Sequence, residues 1–170
     1  MGDLRPLGLT FRTTSHDSQV ESICSSWQGT PYQHGKCCRQ HAVDCIHFGA
    51  AVLDELYGTE HSKSLRSLPA DACVHNRRGV EQATRALLRT YPMQRVLDKV
   101  VEAGDLLIFG PLVSGQAAAA GHLMVAGKPG VLWHATIPCV ASTGYLIRNT
   151  EALLAVYRAQ DKEKWHASPR

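Results

Sequence analysis

Residues 44–58, with the sequence Asp-Cys-Ile-His-Phe-Gly-Ala-Ala-Val-Leu-Asp-Glu-Leu-Tyr-Gly, predict the helix around which the rest of the chain is organised. Asp44 is a favourable N-cap because its carboxylate can accept hydrogen bonds from the first backbone amides, and Gly58 is a favourable stop. The segment between them is apolar on nearly all sides, so we expect this helix to be buried. Cys45 then lies in its first turn.

Two further helices are predicted, one before this segment and one after it. The first begins near Ser18, which has capping-box spacing to Glu21, and apolar residues follow at helical intervals up to Trp27. The second extends from about Asn76 to Tyr91 and ends before Pro92.

Beyond residue 100 the apolar pattern changes from helical spacing to short runs bounded by glycine and proline. Four such runs predict strands: Leu106 to Phe109, His122 to Ala126, Val131 to Ala135 and Leu153 to Tyr157. Residues 110–121 fit either a loop or a short helix. Helices followed by strands predict an α+β fold in which N-terminal helices pack on one face of a C-terminal antiparallel sheet.

Length and composition predict one folded domain. The chain has 170 residues, and we expect the domain to span residues 18–161 between a loosely ordered tail of residues 1–17 and another of residues 162–170. The net charge of +3 comes from scattered basic residues, which gives no support for nucleic-acid binding. We find neither a membrane-spanning segment nor a signal peptide, so we expect cytoplasmic synthesis and free thiols.

Cys45 is the first candidate functional residue. The N-terminal end of a helix has unpaired amides and a partial positive charge, which favour a thiolate. A thiolate is the nucleophile of cysteine chemistry, especially beside a histidine. Position alone leaves two interpretations open, a nucleophile and a small core residue.

His122 and His134 lie in consecutive predicted strands and supply the second observation. A three-residue loop would pair Ala126 with Gly130 and place the two histidines directly opposite each other on one face. A two-residue loop would place them on opposite faces. In the first register His122 can accept the Cys45 proton while His134 orients its ring.

Five segments, in their order and spacing, resemble the NlpC/P60 family of papain-like cysteine peptidases, which cut peptidoglycan stem peptides. They are Trp27-Gln28-Gly29-Thr30-Pro31-Tyr32, Asp44-Cys45, Gly104-Asp105-Leu106-Leu107-Ile108-Phe109, Gly121-His122-Leu123-Met124-Val125 and Leu132-Trp133-His134-Ala135. The resemblance extends from about Trp27 to Tyr157.

The resemblance implies Cys45 as nucleophile, His122 as general base and His134 as the third polar residue. It also implies that Tyr32 and Asp44 contact the substrate, and it implies no metal or cofactor. For Tyr32 a loop-packing role, and for Asp44 a simple helix cap, remain equally open.

The chain departs from the family pattern after the nucleophile. Asp-Cys-Ser-Gly is usual there, whereas this chain has Asp44-Cys45-Ile46-His47 and lacks the hydroxyl that often binds a free amine of the substrate. Substrate preference therefore stays open. His47 is two residues past Cys45 on a helix, where side chains do not face each other, so we do not assign it as the base.

A lone catalytic domain without an export signal is similar to the NlpC/P60 proteins of phage tails and gene-transfer particles, in which the particle delivers the enzyme to the cell wall. Delivery by a secretion machine and an intracellular role in recycling wall peptides are the other expectations. The expected partner is a peptidoglycan peptide, with no membrane partner.

Two alternative functions remain. Six potential ligands lie within 14 residues and would suit a structural zinc module, although the spacing matches no common zinc finger; they are His34, Cys37, Cys38, His41, Cys45 and His47. The same fold and triad would also serve an acyltransferase or amidase, because an amine or alcohol can resolve an acyl-thioester.

Overall fold

The computed structural model describes residues 9–65, 77–113, 116–117, 121–144 and 151–160. Its helices are α1 (Asp17–Ser26), α2 (Cys45–Tyr57), α3 (Ser62–Leu65) and α4 (Arg77–Thr90). Its strands are β1 (Thr10–Phe11), β2 (Cys37–Cys38), β3 (Ala42–Val43), β4 (Met93–Arg95), β5 (Val100–Val101), β6 (Leu106–Val113), β7 (Gln116–Ala117), β8 (His122–Ala126), β9 (Val131–Ala135), β10 (Val140–Gly144) and β11 (Glu151–Ala159).

The main sheet has the strand order β10-β9-β8-β6-β11-β4, and β7 pairs with the end of β6. Every neighbouring pair in it is antiparallel. The predicted α+β class is confirmed, and β8 and β9 have the predicted bounds. The strand after β10 does not continue the meander, because β11 returns to pair with β6 on the far side from β8.

Helix α2 is the centre of the core, as its composition predicts. Asp44 is its N-cap and Gly58, in the left-handed conformation, is its C-cap. Along the helix only Glu55 is exposed and Tyr57 is half-buried. Against it pack apolar residues of α1, α4 and the sheet, among them Val20, Leu87 and Leu123. Leu65 of α3 belongs to the same apolar cluster, which thus joins four helices to one face of the sheet.

The other face of the sheet is also apolar. Met124, Leu132 and Phe109 form a second cluster there, together with Leu9 and Val101 of the β1–β5 region. The described residues 9–17 differ from the loose tail that the sequence predicts, because β1 pairs in parallel with β5 and Leu9 is buried. Residues 1–8 and 161–170 lie outside the described part of the chain.

The ends of the predicted helices are partly corrected. Ser18 is not the cap of α1, because that helix begins at Asp17 with His16 as N-cap and without a side-chain capping bond. Asp17 instead accepts hydrogen bonds from the backbone amide and the hydroxyl of Thr14. The third predicted helix is confirmed as α4, within one residue of the predicted bounds. None of the helices described here has the length and apolarity that crossing a membrane requires.

The Gly104-Asp105 segment that precedes β6 has a structural role. Gly104 has φ +91°, and a Cβ at this position would lie 3.1 Å from Leu56 Cδ2. The Asp105 carboxylate is buried and accepts hydrogen bonds from the Arg158 guanidinium and the Glu102 amide. These contacts fix the start of β6 against the end of α2.

Candidate active site

Helix α2 and strand β8 run in the same direction, which places Cys45 and His122 at one end of the layer. A Cβ on Gly49 would lie 2.6 Å from Leu123 Cδ2, so helix and strand are closely packed there. At the other end Leu56 packs near Gly104, whose amide donates to the Ala126 carbonyl. The seven steps from Gly49 to Leu56 along the helix span about 10 Å, and the three steps from Leu123 to Ala126 along the strand also span about 10 Å. The two contacts are therefore consistent with a helix and a strand that run side by side in the same direction. Cys45 is one helical turn before Gly49, and His122 is the residue before Leu123.

Cys45 is the first residue of α2 and is 5% exposed. A helix N-terminus, with its unpaired amides and partial positive charge, is a position that favours a thiolate. Cys24 has the opposite environment, because burial, followed by the negative charges of Glu21 and Glu55, raises the pKa of its thiol strongly. Cys24 therefore stays protonated, whereas the position of Cys45 suits a nucleophile.

His122 and His134 form a hydrogen-bonded pair. Nε2 of His122 lies 2.9 Å from Nδ1 of His134, and the ring centroids are 5.2 Å apart. The predicted register is wrong by two residues: Ala126 pairs with Leu132, not with Gly130. An even shift keeps both side chains on one face, and diagonal neighbours remain within reach of long or aromatic side chains. The predicted contact forms through a different register.

A carboxylate from α1 holds the loop that sets this register. Glu21 Oε1 accepts hydrogen bonds from the Lys128 amide at 2.9 Å and from the Trp133 indole at 3.0 Å. The Val131 amide donates to the Lys128 carbonyl, and the Gly127 amide donates to the Val131 carbonyl. Glu21 therefore anchors the hairpin that carries both histidines.

The contact between the two rings decides which His122 nitrogen can act as a base. If Nδ1 accepts a proton, Nε2 carries the hydrogen and donates to His134 Nδ1. Burial, and secondarily the nearby His134, lower the pKa of His122 to about 3. His122 is thus neutral at pH 7, which is the protonation state from which a general base starts.

Tyr32 lies in a segment that joins the two halves of the site. Its amide donates to the Pro138 carbonyl, just after β9, and the Gln33 amide donates to the Val43 carbonyl, just before Asp44. The Tyr32 hydroxyl is 3.2 Å from His34 Nδ1. Backbone bonds therefore place Tyr32 between the chain segments that carry Cys45 and His134, and its predicted contact with substrate stays a prediction.

Asp44 is 1% exposed and has its carboxylate engaged on both oxygens. Oδ1 accepts from the amide and from Nδ1 of His47, each at 2.8 Å, and Oδ2 accepts from the Gly35 amide at 2.6 Å. This geometry favours the helix cap. A direct contact between Asp44 and the substrate remains a prediction.

The partnership of His47 with Asp44 was missed at the sequence level. The neighbour that His47 contacts is Asp44, three residues earlier. The signal was present, since a residue three positions after an N-cap is placed to return a hydrogen bond to it. The role of Glu21 was missed as well, because its partners lie more than 100 residues away in sequence.

The alternative zinc site is not assembled. All six of its residues lie in the described range 9–65, yet no three His, Cys, Asp or Glu side chains of the described chain are grouped to hold a metal ion. His34 contacts Tyr32, His47 contacts Asp44 and Cys38 is exposed. The five cysteines of the described chain form no disulfide, and Cys73 lies outside the described residues.

Comparisons with known proteins bear on the fold. No protein-family model matches the sequence, and a search of curated proteins gave no significant match. A crystal structure of a Staphylococcus aureus protein, described as similar to lipoprotein, NLP/P60 family, superposes with a TM-score of 0.55 at 19% identity. The match covers 93% of this chain and 45% of the other, so this chain spans less than half the length of that protein. The chain has an NlpC/P60-like fold.

Proposed function

We propose that this protein is a papain-like cysteine peptidase that hydrolyses peptide bonds of peptidoglycan stem peptides. Cys45 is its nucleophile, His122 its general base and His134 the residue that orients His122. The observation that carries the proposal is the 2.9 Å contact between His122 and His134 at the end of the sheet where α2 begins with a cysteine.

In the first step His122 Nδ1 takes the thiol proton and the Cys45 sulfur attacks the substrate carbonyl carbon. The oxyanion receives hydrogen bonds from amides of the first turn of α2, that of Cys45 included. When the C–N bond breaks, the leaving amine takes the proton from His122. Water then hydrolyses the thioester and returns the free thiol.

Peptidoglycan is proposed as substrate because of the fold. The neighbouring structure is described as a member of the NLP/P60 family, and the segments that resemble that family include each proposed catalytic position. The missing hydroxyl after Cys45 leaves the cleaved bond open.

The test is digestion of purified peptidoglycan, with released fragments identified by mass spectrometry. The wild-type protein should release stem-peptide fragments, and Cys45→Ala and Cys45→Ser should release none while keeping the wild-type melting temperature. Cys38→Ala is the matched control, because it removes an exposed thiol a few residues away. Unchanged hydrolysis in Cys45→Ala would refute the mechanism. Transfer to an added amine acceptor without hydrolysis would favour the acyltransferase alternative.

A further inference from the structure

His47 is a buried histidine in which only one of the two ring nitrogens has a hydrogen-bond partner among the described residues. It is 2% exposed, and its Nε2 has no hydrogen-bond partner among the described residues. Burying a polar nitrogen without a partner is unfavourable. Any stabilising hydrogen bond of the ring therefore comes from its other nitrogen, Nδ1, which lies 2.8 Å from Asp44 Oδ1.

Asp44 connects this imidazole to both parts of the candidate site. It caps the helix that begins with Cys45, and its other oxygen holds the Gly35 amide at 2.6 Å. Its own amide donates to the Lys36 carbonyl. Gly35 and Lys36, which Asp44 holds in this way, come directly after the segment from Tyr32 to His34. The orientation of a single carboxylate thus fixes the start of α2 and the loop beside it.

We infer that His47 is a positioning residue, which acts through Asp44 to hold Cys45 and the Tyr32–His34 loop in their working arrangement. This inference rests on the proposed function for its link to catalysis. The position is occupied by glycine in the family pattern, so the imidazole is a feature of this chain's own sequence.

Three substitutions separate the roles of the two ring nitrogens. His47→Asn places an amide nitrogen where Nδ1 stands, His47→Gln places one near Nε2, and His47→Phe keeps a ring without a donor. Two rates are measured for each variant: hydrogen exchange of the Gly35 amide, and alkylation of Cys45 by iodoacetamide, followed by mass spectrometry.

We expect exchange at Gly35 and alkylation of Cys45 to stay near wild type in His47→Asn. In His47→Gln and His47→Phe, exchange should rise and alkylation should fall by about tenfold, as expected when a reacting group is displaced. Wild-type exchange at Gly35 in His47→Phe, or equal effects of Asn and Gln, would overturn the inference. Because the exchange readout does not involve the thiol, an unreactive wild-type Cys45 would count against the peptidase proposal alone.

Discussion

His122 and His134 make a 2.9 Å hydrogen bond although they are not paired across their strands. In the observed register the residue opposite His134 would be Met124, two positions from His122, because Val125 pairs with Trp133. The two rings meet diagonally, in a nearly T-shaped arrangement with an interplanar angle of 70°. The geometry of this pair therefore depends on the hairpin loop as well as on the strands.

We predict that replacing His134 changes the pH dependence of the reaction. The proximity of His134 is the second cause of the lowered pKa of His122, after burial. In His134→Asn this contribution is lost, so the pKa of His122 rises and the acid limb of kcat/KM moves to higher pH. Both pH profiles should be measured on the same substrate. A limb that moves to lower pH, or does not move, would contradict the assignment of His122 as base.

Acid should destabilise the fold through His122. Its pKa is about 3 in the folded protein and near 6.5 in the unfolded chain, so between these values the unfolded chain binds the extra proton. The free energy of unfolding should fall by up to about 1.4 kcal/mol per pH unit over this range. His122→Gln cannot titrate and should show a shallower dependence in denaturant titrations from pH 7 to pH 4. Equal slopes would show that folding does not lower the pKa of His122.

Gly49→Ala should weaken the contact between α2 and β8. The added Cβ would meet Leu123 Cδ2 at 2.6 Å, and relieving such overpacking costs about 1 to 3 kcal/mol of stability. The double variant Gly49→Ala with Leu123→Val should recover part of that loss, measured as the urea midpoint. Additive effects of the two substitutions would mean that these side chains do not meet.

Glu21→Ala should destabilise the hairpin that carries the histidines. The buried Trp133 indole and the Lys128 amide lose their acceptor, at a cost of about 1 to 3 kcal/mol in unfolding free energy. Glu21→Gln keeps an acceptor oxygen and serves as the matched control, so it should retain most of the stability. If Gln is as damaging as Ala in thermal unfolding, the charge of Glu21 matters more than its hydrogen bonds.

Local patterns predicted much of this fold. Asp44 and Gly58 mark the ends of α2 because capping depends on the residues at the ends themselves. Strands β8 and β9 follow from apolar runs bounded by glycine and proline. The side on which β11 pairs is a non-local choice that no local pattern specifies. The short β1–β5 pair was likewise missed, since two-residue strands carry no detectable periodicity.

The sequence predicts the residues proposed for catalysis, but not the residues that hold them in place. The predicted helix start identifies Cys45, and the two predicted strands identify His122 and His134. The predicted pairing of β8 with β9 is wrong because the loop is longer than the spacing suggests, and Glu21, on a distant helix, holds that loop. His47 contacts Asp44 rather than Cys45, as the spacing of three residues from an N-cap allows.

The proposed mechanism requires that Cys45 is an activated thiol. It is tested by brief labelling with limiting iodoacetamide at neutral pH, locating the modified cysteine by mass spectrometry in the wild-type protein and in His122→Ala. We predict that Cys45, at 5% exposure, is modified before the exposed Cys38 and that His122→Ala abolishes this preference. Modification of Cys38 first, with Cys45 unreactive in both proteins, would contradict the proposed mechanism.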